Sequence, residues 1–128
     1  MNTRLAVDSY SKVHYNANVE VASPHRLIEM LFEGALQSIT QAKGAMEYGN
    51  VEIKGKKINK AIAIVGGLRE SLNMEEGTDI AENLNALYIY IQEILFQAHI
   101  KNNPDLLDES SQLLNQLASA WKQIGPAE

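Results

Sequence analysis

Cysteine is absent from the 128 residues, which rules out disulfide bonds, thiolate metal sites and thiol nucleophiles, so the fold must hold by packing alone. Long apolar runs are absent as well. Runs such as Ala61 to Val65 are far too short to span a membrane, and the N-terminus MNTRLAVDSYSKV has no apolar run of secretory length. These features predict a soluble, cytoplasmic protein with no membrane insertion. Basic residues are outnumbered, 11 Lys and Arg against 16 Asp and Glu, and a formal charge of −5 argues against nucleic acid as a main partner. The one basic cluster, Lys54, Lys56, Lys57 and Lys60, reads as a solvated helix start.

Motifs of catalysis are missing too. The chain has no Gly-rich phosphate loop, no GxSxG, no HExxH and no Glu-x-x-His pair of the kind that di-iron bundles use. His25 and Glu29 stand at i and i+4, yet His14 and His99 have no similarly spaced acid, so no metal and no cofactor is expected. An enzyme is not expected either. Strand alternation, internal repeats and low-complexity tracts do not occur.

What is there is helical periodicity. Ile80, Leu84, Leu87, Ile91, Ile94 and Ala98 recur at steps of 4, 3, 4, 3 and 4, a stripe within about 80° of arc on a helical wheel. Ile89, Phe96 and Ile100 point to nearly the opposite side, so this helix, read from Thr78 or Asp79 to about Asn102, has two sets of apolar neighbours to satisfy.

The remaining elements follow from start and stop signals. Ser23 then Pro24 opens a first helix with Ile28, Leu31, Phe32, Ala35, Ile39, Ala42 and Met46 inward, and Gly49 with Asn50 ends it. A second face of that helix carries Leu27, Met30, Gly34, Ala45 and Tyr48. A second helix is read from Val51 to Met74, with Ile58, Ala61, Ile62, Val65, Leu68 and Leu72 inward. Its paired Gly66 and Gly67 cost about 1 kcal/mol each in helix propensity and predict close approach of another backbone. Asn103 then Pro104 starts the last helix, whose stripe is Leu106, Leu113, Leu117, Ala120 and Ile124, broadened by Leu107, Leu114 and Trp121.

Four such helices joined by short turns predict an all-α, antiparallel up-down-up-down four-helix bundle over 23–125. It is preceded by a mobile arm, 1–22, in which Tyr10, Val13 and Tyr15 are scattered without a period and a short helix from Val7 to Tyr15 is possible. The apolar side chains left over, Leu27, Met30, Tyr48, Ile89, Phe96 and Ile100, exceed what one small core consumes and point to a binding surface. Two rivals remain at this level. One is a histidine phosphotransfer bundle using His99, and the other is a structural homodimer in which the second face of the third helix meets its own copy.

Several words of the sequence, in order, resemble one family. SYSKV at Tyr10, ASPHRLIEMLFEGA at Ala22 to Ala35, INKAIAIV at Ile58 to Val65, IAENLNALYIY at Ile80 to Tyr90 and AWKQI at Ala120 to Ile124 are similar to the FliS flagellar export chaperones. Asn73, Thr78 and Ile89 depart from it, standing where Asp, Gly and a polar residue are common. The resemblance implies a non-enzymatic chaperone that holds the C-terminal segment of flagellin, prevents early polymerisation and helps present it to a component of the type III export gate. It leaves room for an anti-sigma factor as a further client. It places the family's N-terminal tyrosine on Tyr10 and its LIxML[YF][DE]G word on Leu27 to Gly34. With the surplus apolar residues, this gives a client-binding set of Leu27, Met30, Leu31, Gly34, Ile89, Phe96 and Ile100, and a lid of Tyr10 and Val13.

Overall fold

In a computed structural model, which describes residues 22–72 and 78–125, the chain forms four α-helices: α1 (Pro24–Glu47), α2 (Val51–Glu70), α3 (Asp79–Lys101) and α4 (Pro104–Ile124). No strand occurs among the described residues. The expected arm and its short helix, with Tyr10 and Val13, lie outside them.

The caps form where short polar side chains precede each start. Ser23 Oγ accepts from the Arg26 N–H at 3.1 Å, Asn50 Oδ1 from Ile53 at 3.1 Å, Thr78 Oγ1 from Ala81 at 3.1 Å and Asn103 Oδ1 from Asp105 at 3.0 Å. Proline occupies the first turn of α1 and of α4, where its missing N–H costs nothing. Asn102 ends α3 in the left-handed region at φ 50°. The second helix ends at Glu70, short of the Met74 that the periodicity predicts.

α1 packs on α2 and α4, α3 packs on the same two, and the diagonal pairs barely touch, so the helices follow one another round a square. Cross-links show the antiparallel directions. Lys43 near the end of α1 meets Asp108 near the start of α4 at 2.8 Å, while the Trp121 indole N–H donates 2.9 Å to the carbonyl of His25 at the opposite end of the same pair. Arg69 near the end of α2 reaches Asn85 and Gln92 of α3, and Lys54 at the start of α2 reaches His99 and Asn102.

The core comprises Leu31, Phe32, Ala35, Ile39, Ala42, Ile58, Ala61, Val65, Leu68, Tyr88, Ile91, Leu95, Ala98, Leu107 and Leu114, each near-fully buried. Burying a side chain of Leu or Ile size contributes about 1.5–3 kcal/mol. Three sequence expectations are corrected. Ile80, read as the first inward residue of α3, is 74% exposed because the helix begins before its neighbours cover it, while Tyr88 and Leu95, absent from the stripe, are buried. Two neighbours widen the buried arc of α3 beyond one seam. In α4 Leu107, Ser110 and Leu114 are buried and Leu106, Leu113 and Leu117 of the predicted stripe pack partly buried against the core, but Ala120 and Ile124 at its end face solvent. Ser110 is admissible because its hydroxyl donates 2.9 Å to the Leu106 carbonyl of its own helix.

Lys54 is the third correction, since it is 5% exposed and not solvated. Its Nζ donates to Asn102 Oδ1 at 2.9 Å and to the His99 carbonyl at 3.3 Å, a cation at the negative end of the α3 dipole. Gly66 and Gly67 are buried, as the expected close packing requires.

Candidate protein-binding surface

Two edges of α3 can be assigned from its contacts. Asn85, Gln92 and His99 face α2: the first two bind Arg69, Gln92 Nε2 donates 3.1 Å to the Ile62 carbonyl, and the His99 ring lies against Gly55. Tyr90 faces α4, where its hydroxyl donates to Glu109 Oε2, a bond that raises the tyrosine pKa above its ordinary value, helped by some desolvation. Ile89, Phe96 and Ile100 then fall just outside the α2 edge, one helical step further from the core. They are 44%, 49% and 62% exposed, an apolar ridge two to three turns long on the open side of the α2–α3 seam.

The facing wall of that seam is mixed, with exposed Glu52 and Glu70 at its ends and shorter side chains between them. By helical spacing, Asn59 and Ala63 of α2, both exposed, flank the contact line of Gly55, Ile62 and Arg69. Short side chains beside a ridge of Ile and Phe leave a trough that an amphipathic segment can enter with apolar anchors at i, i+3, i+4 and i+7. Gly55 itself is tight: a Cβ there would lie 3.2 Å from His99 Cε1.

The remaining expected client residues are not part of this trough. Leu31 is buried within the central cluster, and Met30 is buried too. Neither presents an open surface. Leu27 and Gly34 are half-buried and, by their position on the wheel, border the α1–α2 seam on the other side of α2.

Other candidate chemistry finds no open site. His25 is buried, stacked on Trp121 with ring centroids 4.6 Å apart and an interplanar angle of 10°, and its Nε2 stands 3.5 Å from Glu29 Oε1. No group of three or more His, Asp or Glu among the described residues could hold a metal ion. His99 has its Nδ1 buried without a hydrogen-bond partner, and its ring lies against Gly55. Between α1 and α4 lies a shallow cleft of about 230 Å³, lined by Glu29, Phe32, Leu36, Ala118, Ser119 and Lys122. Among the described residues no helix is long and apolar enough to cross a membrane.

Comparison with known proteins bears on these surfaces. The family described as "Flagellar protein FliS" matches over residues 6–128. The chain is similar to the flagellar secretion chaperone FliS of Vibrio cholerae, 40% identical over 96% of this chain and 90% of that one. It is similar to FliSB of Pseudomonas aeruginosa, 45% identical over 93% and 94% of the two chains. The flagellar secretion chaperone FliS of Salmonella typhimurium is 42% identical over 98% and 94%. Matched over residues 6–128 and 40–45% identical to these relatives over nearly its whole length, the chain belongs to the FliS family of flagellar secretion chaperones.

Proposed function

We propose that the protein is a cytoplasmic, non-enzymatic export chaperone whose client is the C-terminal segment of flagellin, held in the α2–α3 trough until delivery to an export-gate component. The observation that carries this reading is the exposed ridge of Ile89, Phe96 and Ile100 beside the short side chains of α2. A filament-forming segment is disordered while alone, and its apolar stripe is a hazard until it meets other copies. Burying that stripe in the trough masks it. Ordering the client costs about 2–5 kcal/mol, which keeps a large contact releasable without nucleotide hydrolysis.

In this reading the bundle, 23–125, is the chaperone domain and the arm, 1–22, supplies a lid through Tyr10 and Val13. An anti-sigma factor as a second client uses the same trough. The family's matches are to secretion chaperones, which favours this over histidine phosphotransfer. The homodimer alternative uses the same ridge and predicts a mass that doubles with concentration in light scattering.

The test is calorimetric titration with a flagellin C-terminal peptide. Phe96→Asp and Ile89→Asp should each weaken binding by tenfold or more while the helical circular dichroism and melting temperature stay near those of the unaltered protein. Undiminished binding in both variants would move the client elsewhere.

A further inference from the structure

The basic cluster at the start of α2 is not used by the trough, and the structure divides it. Lys54 turns inward and caps α3. Ile53, Lys56, Lys57 and Lys60 stand at i, i+3, i+4 and i+7; Ile53, Lys57 and Lys60 lie toward α1, and Lys56 stands outermost on the helix. Lys56 and Lys60 are exposed, Lys57 is half-exposed, and none of the three makes an ion pair or hydrogen bond among the described residues.

The neighbouring strip of α1 offers them no counter-charge. The α4-facing edge of α1 is marked by Phe32, Leu36 and Lys43, so the opposite edge carries Gln37, Gln41, Gly44 and Tyr48 at steps of 4, 3 and 4. Of the nearby acids, Glu47 acts on Lys43 toward α4, and Glu52 stands one turn before Lys56 without an ion pair to it. Tyr48 is 90% exposed at the end of α1, and Ile53 stands five residues on, across the turn, at the head of the lysine stripe. In a chain of net charge −5 this is a local excess of unpaired cations beside two exposed apolar side chains.

We propose that this face, across the α1–α2 seam, is a second docking surface that takes an acidic amphipathic helix of a protein partner, separately from the trough on the other side of α2. Lys56 and Lys60 are one turn apart, about 6 Å along the axis, which matches carboxylates spaced i, i+4 on a guest helix; Tyr48 and Ile53 receive an apolar anchor at one end.

The probe is a helical peptide with three glutamates spaced four apart and a leucine one turn beyond them, compared with the same peptide carrying glutamine in place of glutamate. Titration of the full chain should show binding of the glutamate peptide that weakens as salt rises, and amide shifts at Tyr48, Ile53, Lys56 and Lys60. Lys56→Gln with Lys60→Gln should weaken it about tenfold, Lys56→Arg with Lys60→Arg should retain it, and Phe96→Asp should leave it unchanged, which separates this surface from the trough. Equal binding of the glutamine peptide, no binding of either, full affinity in the Gln variant, or phosphatidylglycerol vesicles outcompeting the peptide through the same lysines would each overturn the proposal.

Discussion

Lys54 illustrates how a single side chain can be decided by its neighbours. It lies four residues before Ile58 and so on the inward face of α2, where an ammonium group would be costly without acceptors. The left-handed turn at Asn102 supplies one in its side chain, and the end of α3 supplies another in the His99 carbonyl. Lys54→Met should therefore destabilise the bundle by about 1–3 kcal/mol, because both acceptors lose their donor, measured as a lower urea midpoint at unchanged slope. Tyr88 gives a pH prediction. Burial pushes its pKa up to about 12 from 10.0, so the folded state holds the proton where the unfolded chain has lost it. A raised pKa means that this stability is fully present below pH 10 and is lost between pH 10 and about 12. Tyr88→Phe should flatten that alkaline loss in chemical denaturation across the range.

At the scale of the element, α3 is the helix on which the seam assignment turns. Its apolar residues occupy nearly every direction, and only the cross-helix bonds of Asn85, Gln92 and Tyr90 show which arc is closed by α2, which by α4 and which stays open. The consequence is a sharp contrast along one helix. Ile91→Ala, fully buried, should cost about 2–5 kcal/mol of stability, whereas Ile80→Ser, at an exposed position, should stay within about 0.5 kcal/mol, both read from denaturation midpoints. The α4 stripe shows what periodicity alone leaves out: Leu106, Leu107, Leu113, Leu114, Leu117 and Trp121 pack in or against the core as expected, while Ser110 is buried among them because a serine that bonds back to its own helix packs as a small residue.

For the whole molecule, the square of helices leaves the α2–α3 trough and the lysine-bearing α1–α2 face on opposite sides of one helix, so α2 separates two surfaces of different chemistry. If the arm acts as a lid on the trough, apparent affinity falls by the fraction of open molecules. Deleting residues 1 to 18 should then speed association with the flagellin tail in stopped-flow fluorescence, with lone Trp121 as the reporter. Slower or unchanged association would remove the lid.

The four helices of the described residues, the starts at Pro24 and Pro104, the caps at Ser23 and Asn103, the start of α3 at Thr78 or Asp79 and the family's words were legible in the sequence, because each depends on residues close along the chain. The outward turn of Ile89, Phe96 and Ile100 was legible for the same reason, as a second stripe on one helix. Only the tertiary structure decided that Lys54 and Ser110 belong inside, that Ile80 and Ile124 do not, and that Leu27 and Gly34 border a different seam from Phe96. Burial depends on which neighbouring helix covers each arc, and that is a relation between distant segments which the period of any one segment does not contain.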